Sequence, residues 1–418
     1  MKRYLIPAMA MVMIVAGAFT ARADWVQKGS DYYYYNGNEL VKNQIVEDEY
    51  YVDENGKLTG NVWVKTQDSD GTYYCYFDAN GKMVRDKWKT INDKTYHFDD
   101  NGHMETGWIQ ENMYFCHLDD GHLLTGWQRL EDPDGGDKKA GPLDDANIHW
   151  YYFSPSTGRK YCAGDGADYA EKRVDNKRYC FDQMGALQTG WVKVADEEGI
   201  GGYKYYDPDG SDHLGWYSLT PPDELAGNYA YDVMWFYFTN SGFPAYDEDG
   251  IPTVSDLRRI GTSKKRYYFN QWGTPVWGLC KLYTNADGSD YATYFFGTFN
   301  QSCVQHGKYQ IMDGSDTPDT FYFHESGEGY NGSNNKDGCL YYKGKLQKAS
   351  KDLTYEVITV NDTDYLVNTS GKIMKKKTVK DKAGTKWATN ASGVVCMKDD
   401  HIVDSRVGRD PEPPTFGG

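Results

Sequence analysis

The sequence predicts an all-β protein, a solenoid of short β-hairpin repeats stacked one on the next. Three observations support this prediction: aromatic residues are abundant, glycine is abundant, and one short motif recurs along almost the whole chain. The 418 residues include 37 Tyr, 16 Phe, 12 Trp and 45 Gly. Each buried ring removes about 150–250 Å² from water, so rings can form the core. The glycines indicate many tight turns.

The recurrent motif contains two or three aromatic residues, an Asp or Asn, two small or polar residues, a Gly and an apolar residue. Clear copies have their glycine at Gly56, Gly81, Gly102, Gly185 and Gly273. Alternating aromatic and polar residues predict a strand with one ring-bearing face. The segment from Asp to Gly predicts a turn, because Asp or Asn bonds the turn backbone and Gly supplies a positive φ. Each unit is therefore predicted to be a β-hairpin.

Residues 24–400 are predicted to form one array of stacked hairpins, since an isolated two-stranded hairpin is only marginally stable in water. The clearest repeats lie at residues 50–216, and the repeats at 217–400 are more divergent. Residues 401–418 include a loose Asp-Pro-Glu-Pro-Pro sequence. We expect this last segment to be a flexible C-terminal tail.

Residues 1–23 are predicted to be a secretory signal peptide. Lys2 and Arg3 form a basic start, an apolar run follows, and Ala21-Arg22-Ala23 provides a small-x-small cleavage site. Later apolar runs are shorter than the roughly 20 residues that span a bilayer. The mature protein is therefore expected to be secreted and to have no membrane partner after cleavage.

Composition also argues against several classes of function. The net charge of −16 makes a nucleic-acid partner improbable, because an acidic surface repels phosphate. The nine His form no H-E-x-x-H motif, the eight Cys form no C-x-x-C pair, and no G-x-S-x-G elbow occurs. Close pairs of carboxylates lie where the repeat requires turns. We therefore expect neither an enzyme nor a bound metal or cofactor.

The eight cysteines leave two alternatives open. Export permits disulfides, and eight cysteines allow about 105 complete pairings, among which the sequence does not choose. The other alternative is a set of scattered, small, buried thiols.

A second motif joins Gly to Trp directly after the aromatic–turn–Gly–apolar block. It occurs as Thr106-Gly107-Trp108, Thr125-Gly126-Trp127 and Thr189-Gly190-Trp191, with a looser copy at Gly215-Trp216. In this pattern the chain resembles the cell-wall-binding, or choline-binding, repeat family. The same superfamily includes glucan-binding repeats of streptococcal glucosyltransferases and the C-terminal repeats of clostridial toxins. The resemblance covers about Trp25 to Met397.

The resemblance implies a hairpin solenoid at the cell wall of a Gram-positive bacterium, with choline-bearing teichoic acid or glucan as its partner. It also implies ligand sites between successive repeats, each made from the Trp of one G-W pair, an aromatic residue that opens the next hairpin and the Trp of the following repeat. On this sequence the implied groups are Trp108, Tyr114 and Trp127; Trp127, Trp150 and Tyr151; Trp191, Tyr203 and Trp216; and Trp216, Trp235 and Tyr237. Ring faces suit a quaternary ammonium, which has no hydrogen-bond donor, and they also stack on sugars.

Three hypotheses for function follow. The leading one is an exported, non-catalytic protein that binds cell-wall polymer or polysaccharide through aromatic sites between repeats. The second is a surface adhesin whose toxin-like repeats bind host glycans or proteins. The third is a secreted spacer with a purely structural role.

Overall fold

The computed structural model describes residues 23–67, 71–133, 147–248, 250–262, 265–314 and 316–416. The predicted signal peptide lies outside these residues, apart from Ala23. The described chain is built almost wholly from short antiparallel strands. Short 3-10 helices occur at Gly199–Gly202, Asp223–Asn228, Val254–Asp256 and Phe299–Gln301. Within the described residues, none of the helices is long and apolar enough to cross a membrane.

The chain divides into two compact units. The first unit comprises the described residues up to Lys172 together with Cys180–Gln188, and the second comprises Arg173–Tyr179 and the chain from Thr189 onward. The strands of the first unit are β1 (Ala23–Lys28), β2 (Asp31–Asn36), β3 (Glu39–Leu40), β4 (Gln44–Val46), β5 (Tyr50–Val52), β6 (Val62–Gln67), β7 (Thr72–Phe77), β8 (Lys87–Ile91), β9 (Lys94–Phe98), β10 (Gly107–Ile109), β11 (Tyr114–Cys116), β12 (Gly126–Glu131) and β13 (Ile148–Phe153). Strands β14 (Tyr169–Val174) and β15 (Lys177–Asp182) contain residues of both units.

The second unit is also made of short strands. They are β16 (Gly190–Lys193), β17 (Tyr203–Tyr206), β18 (Gly215–Leu219), β19 (Met234–Phe238), β20 (Arg258–Arg259), β21 (Arg266–Tyr267), β22 (Leu279–Tyr283), β23 (Tyr291–Phe295), β24 (Gly307–Ile311), β25 (Asp319–Phe323), β26 (Gly332–Ser333), β27 (Leu340–Tyr342), β28 (Lys345–Leu346), β29 (Tyr355–Val360), β30 (Thr363–Asn368), β31 (Thr378–Lys380), β32 (Lys386–Thr389), β33 (Val395–Lys398) and β34 (His401–Ile402).

Most of these strands pair two by two with their neighbour in sequence. Larger sheets have the strand orders β1-β2-β3, β24-β25-β28-β27-β26 and β31-β32-β33-β34. The prediction of an all-β chain of short antiparallel hairpins is therefore confirmed.

The predicted turns form through the Asp side chain. Asp53 Oδ1 accepts hydrogen bonds from the backbone N–H groups of Asn55 and Lys57, at 2.9 and 3.0 Å. The N–H of Gly56 donates to the carbonyl of Asp53 at 2.9 Å. The same arrangement recurs after Asp78. The carboxylates that the sequence places in these motifs thus bond the turn backbone, as the turn chemistry predicts.

The residue directly before the turn is the centre of each hairpin's core. Where this residue is Phe, its ring is at most 1% exposed: Phe77, Phe98, Phe153, Phe181, Phe238, Phe269 and Phe323. In these hairpins a core of rings replaces the aliphatic core of an ordinary domain, as the composition indicates. The hairpin of β29 and β30 differs, because Leu340, Ile358 and Val367 belong to an aliphatic cluster there.

Stacking of the hairpins depends on the residue that follows each turn. Its backbone N–H donates to a carbonyl of the preceding hairpin. In the first unit these bonds join Met83 to Glu49 (2.7 Å), Met104 to Tyr74 (2.8 Å) and Leu123 to Thr95 (2.7 Å). In the second unit they join Asp212 to Arg178 (2.9 Å), Gly329 to Thr293 (2.8 Å) and Ile373 to Gly338 (2.9 Å). The predicted stacking is therefore present within each unit.

The turn glycine allows close approach between neighbouring repeats. At Gly56 (φ 77°), an added Cβ would lie 2.7 Å from Leu40 Cγ and 2.8 Å from the carbonyl oxygen of Val41. Gly126 has a similar φ of 73°, but an added Cβ would meet no heavy atom within 4 Å. The two positions share the backbone conformation and differ in the space around it.

Substitutions at Gly56 and Gly126 distinguish the cost of backbone strain from the cost of lost space. We expect Gly126→Ala to lower the free energy of unfolding by ~1–2 kcal/mol, the cost of a left-handed alanine. Gly56→Ala should cost ~1–3 kcal/mol more, because its methyl group displaces Leu40 and the Val41 backbone. Urea unfolding of the two variants measures the difference, and equal losses would contradict the close packing at Gly56.

The C-terminal residues, for which the sequence predicts a flexible tail, make specific contacts with the second unit. Arg409 exchanges backbone hydrogen bonds with Val357 and Thr359, at 3.0 and 2.9 Å. The N–H of Glu412 donates to Gln347 Oε1 at 2.8 Å. The structure thus differs from the expectation of a flexible tail. The few hydrogen-bond donors of this proline-rich segment bond acceptors that are distant in sequence, and local composition does not reveal such contacts.

All eight cysteines lie within the described residues and have free thiols. The structure therefore favours the second alternative, scattered thiols, although Cys396 is exposed. Burial raises the pKa of Cys75 to about 11 and that of Cys116 to about 12. Such thiols are almost wholly protonated at neutral pH, and the thiolate is the reactive form.

We expect Cys396 to be the first cysteine to react with an aromatic disulfide reagent at pH 8, since its thiol is exposed. Cys396→Ser should remove the fast phase in the release of the reagent's aromatic thiol, whereas the control Cys116→Ser should leave this phase unchanged. A fast phase that survives Cys396→Ser would contradict this assignment.

Candidate ligand-binding site

A tryptophan on the first strand of a hairpin contacts rings of two hairpins. Trp63 lies 5.2 Å from Tyr76 across its own hairpin and 5.0 Å from Tyr96 of the next, measured between ring centroids. The pattern recurs for Trp25, Trp88, Trp108, Trp127, Trp191 and Trp216. Each such group of rings is called a seam below and is named by its tryptophan.

Some of these indoles are also fixed by hydrogen bonds. Trp108 Nε1 donates to the carbonyl of Glu131 at 2.9 Å, and Trp191 Nε1 donates to the carbonyl of Thr220 at 2.8 Å. A ring held at both its face and its N–H has one orientation, so the seams are preorganised.

The structure does not bring together the first predicted group, Trp108, Tyr114 and Trp127. Trp108 pairs across its hairpin with Phe115, so the adjacent Tyr114 lies on the opposite face. There Tyr114 contacts Trp88, with ring centroids 5.1 Å apart. The sequence placed the right tryptophan in a seam but chose the neighbouring residue of the strand.

The second predicted group, Trp127, Trp150 and Tyr151, is divided in the same way. Trp127 pairs with Tyr152 across β12 and β13, so Trp150 shares that face and Tyr151 does not. Tyr151 is fully buried and contacts Trp108 at 5.0 Å. Trp150 remains 39% exposed. The group is therefore one core residue, one seam tryptophan and one surface ring.

The third predicted group, Trp191, Tyr203 and Trp216, is only partly brought together. Trp191 and Tyr203 are in edge contact at 6.4 Å, and both belong to a buried ring cluster. Tyr203 is 6% exposed and its hydroxyl donates to Glu224. Burial, followed by this bond, raises the pKa of Tyr203 to about 12. Trp216 belongs to the next seam, so the three rings do not form one site, and Tyr203 is core packing.

Two members of the fourth predicted group, Trp216 and Trp235, line an open cavity, whereas the third member, Tyr237, is not part of its lining. Trp216 pairs with Tyr237 at 5.2 Å, and the register places Trp235 on the same face of β18 and β19. A cavity of about 290 Å³ lies beside them. Its lining comprises Trp216, Trp235, Lys265, Tyr267, Pro275, Phe299, Asn300, Gln301, Ser302 and Cys303.

The cavity combines ring faces with polar groups. Trp216, Trp235 and Tyr267 are all half-buried, so part of each ring remains accessible. Asn300 and Gln301 add side-chain amides, which can donate and accept hydrogen bonds. Rings that stack on a hydrophobic face, with amides nearby to bond hydroxyls, are the chemistry that a sugar requires, and the same ring faces attract a quaternary ammonium.

A lysine fills the Trp108 seam. Lys160 follows a turn, at the position that Met83, Met104 and Leu123 occupy in other repeats. Its Nζ lies 4.7 Å from the ring centroid of Trp108 and 5.6 Å from that of Tyr151.

The Lys160 side chain is held tightly in this position. The residue is only 6% exposed, and an added Cβ at Gly185 would lie 2.8 Å from Lys160 Cδ. Burial lowers the pKa of Lys160, while the carboxylates of Asp182 and Asp132 oppose this effect. The seam therefore already contains a cation from the chain itself.

A small quaternary ammonium should replace this side chain when it is shortened. We expect Lys160→Ala to lower the free energy of unfolding by ~2 kcal/mol, through the lost cation–π contact and the space left behind. Tetramethylammonium chloride should then raise the melting temperature of this variant more than sodium chloride does at equal concentration. Lys160→Met, which keeps the volume of the stem, should show no such difference. An identical salt response in all three proteins would contradict the cation–π role.

Several seam residues, among them Trp63, Trp88 and Tyr267, are not in the groups that the sequence predicted. Trp63 and Trp88 do not follow a glycine; instead, Asn61 and Asp86 stand two residues before them with positive φ of 57° and 47°. Asn and Asp tolerate this conformation better than other side chains, so they are the signal that a search for G-W alone misses. Tyr267 belongs to the copy of the repeated motif that ends at Gly273, but nothing in the sequence indicated that it would contact a seam tryptophan.

With seams of rings between its stacked hairpins, the chain is a β-hairpin repeat protein with aromatic packing between repeats. Within this class, residues 86–104 match the family model described as a putative cell wall binding repeat. The matched segment contains Trp88 and its cross-strand partner His97. The resemblance predicted from the sequence is therefore confirmed.

A comparison with solved structures found, among others, three proteins from Streptococcus pneumoniae. CbpJ is 18% identical, with 80% of this chain and 100% of that chain covered and a TM-score of 0.38. Choline binding protein F is 18% identical, with 81% and 100% covered and a TM-score of 0.37. The modular autolysin LytC is 19% identical over 62% of this chain, with a TM-score of 0.37, and the match spans 49% of the autolysin. A search of curated protein sequences found no match. These similarities are too low to transfer a ligand or an activity.

Proposed function

We propose that the protein is an exported, non-catalytic cell-wall-binding protein that docks on choline-bearing teichoic acid or glucan. The observation that supports this most directly is the open cavity beside Trp216, Trp235 and Tyr267, in a chain with a cell wall binding repeat. It is a place where ring faces of two successive hairpins meet and remain partly accessible.

The proposed ligand follows from the lining of the cavity. A sugar ring offers an apolar face to Trp216 or Trp235 and hydroxyl groups to the Asn300 and Gln301 amides. A choline group offers a cation to the same ring faces, but Lys265 also lines the cavity and would repel it. The charge of Lys265 therefore favours the saccharide part of the polymer over its choline.

The non-catalytic role is supported by what the carboxylates do. Asp53, Asp78 and Asp99 accept hydrogen bonds from the backbone of their turns. Each occupies the Asp position of the repeated turn motif. A glycosidase requires two carboxyl groups at a fixed separation across a bound sugar. Here the turn carboxylates hold the fold.

Retention on wall material tests the proposal. We expect the protein to be retained on purified wall or on immobilised α-glucan, and Trp235→Ala to weaken retention about threefold to thirtyfold, the equivalent of ~0.7–2 kcal/mol for one ring contact. The matched control is Trp150→Ala, which removes an exposed tryptophan of the first unit.

The outcomes separate the hypotheses. Loss of retention in Trp235→Ala but not in Trp150→Ala supports the cavity, and the reverse result would assign binding to the second predicted group. Retention on a choline resin alone would overturn the preference for saccharide. Binding to mammalian glycans without binding to wall or glucan would favour the adhesin.

A further inference from the structure

The turn after β11 differs in chemistry from the other turns. His117 occupies the position of the turn Asp, and His122 occupies the position after the turn glycine. The N–H of His117 donates to the carbonyl of His122, and the N–H of Gly121 donates to the carbonyl of His117, both at 2.8 Å. These backbone bonds hold the two histidines directly opposite each other, independently of their side chains.

Both imidazoles face one carboxylate oxygen. His117 Nδ1 lies 3.1 Å from Asp120 Oδ1, and His122 Nδ1 lies 2.5 Å from the same atom. The two rings are stacked, with centroids 5.1 Å apart and planes 22° from parallel. One ligand atom from each of the three residues lies within 4.8 Å of the others.

The carboxylate is held ready to bind a cation. Lys94 Nζ donates to Asp120 Oδ2 at 2.8 Å, which leaves Oδ1 directed at the histidines. The three side chains are 42%, 43% and 27% exposed for His117, Asp120 and His122. Water can therefore reach the site and complete a coordination shell.

The neighbouring repeat provides a contrast. There Asp99 and His103 occupy the corresponding positions, so the turn has a single imidazole, with His103 Nδ1 3.7 Å from Asp99 Oδ2. That histidine stacks on Tyr73 instead, with centroids 4.0 Å apart. The donor set of two imidazoles and a carboxylate thus arises from replacing the usual turn residues by His117 and His122.

We propose that His117, Asp120 and His122 bind a divalent transition-metal ion, with Zn²⁺ as the best fit. Zn²⁺ takes imidazole nitrogen and carboxylate oxygen at about 2.0–2.2 Å, and three protein ligands plus water complete its tetrahedron. Ligand atoms of such a tetrahedron lie about 3.3 Å apart. Small rotations of the side chains would bring the Nδ1–Oδ1 separations of 3.1 and 2.5 Å to this value, with the backbone of the turn unchanged. Hard cations such as Mg²⁺ prefer oxygen ligands and do not match this set.

The proposal does not depend on wall binding, and its test uses the untagged full chain treated with a chelator. Titration calorimetry with ZnCl₂ should show one site per chain. His117→Ala and His122→Ala should each weaken Zn²⁺ binding at least tenfold, whereas the control His103→Ala should leave it unchanged. Zn²⁺ should also raise the melting temperature of the parent protein and of His103→Ala, but not of the other two variants.

Several results would overturn the site. Unchanged Zn²⁺ affinity in both His117→Ala and His122→Ala would assign binding elsewhere. Mg²⁺ binding as tight as Zn²⁺ binding would indicate general attraction to the acidic surface. Because the turn is held by backbone bonds, the variants should keep the parent's melting temperature in chelator. If His117→Ala has a lower melting temperature in chelator, His117→Gln is titrated in its place, because glutamine keeps a polar side chain of similar length.

Discussion

The indole rings that join one hairpin to the next are the interaction on which the fold depends. A two-stranded hairpin has one face of rings and no second layer to cover it, so it is unstable alone. Trp63, Trp108 and Trp216 each cover the rings of their own hairpin and contact those of the following hairpin. The same indole therefore packs in the core of its own hairpin and against the next hairpin. Removing one indole would take away packing contacts from both hairpins.

Close approach of the repeats maintains this contact. The backbone of Met104 bonds to Tyr74 of the preceding hairpin, and the turn at Gly102 lies against Met83. Both features fix the distance from one hairpin to the next. They explain why a glycine recurs in the turn. The residue after the turn bonds through its backbone, so its side chain can differ from one repeat to the next.

The sequence reveals the fold better than the site, and the reason is the two-residue period of a strand. Aromatic content, the turn motif and its recurrence are enough to predict stacked hairpins. Whether a ring belongs to a seam depends on strand register, which changes face with each residue. Tyr114 and Tyr151 are each one position from the residue that would complete the predicted group. The pair at His117 and His122 fits no common metal motif, since its donors meet across a turn.

What lies on the open side of a tryptophan decides whether its seam is core or binding surface. The six-residue strands β12 and β13 follow Trp108, and Lys160 fills the remaining space with the chain's own cation. The strands β20 and β21 that follow Trp216 have only two residues each. Tyr267 of β21 contacts the indole, which also lines the cavity. The segment at Phe299–Gln301 forms a further wall at a distance, so a cavity remains. Shortening of one hairpin thus turns a packing contact into an accessible aromatic surface, with no change in the repeat that precedes it.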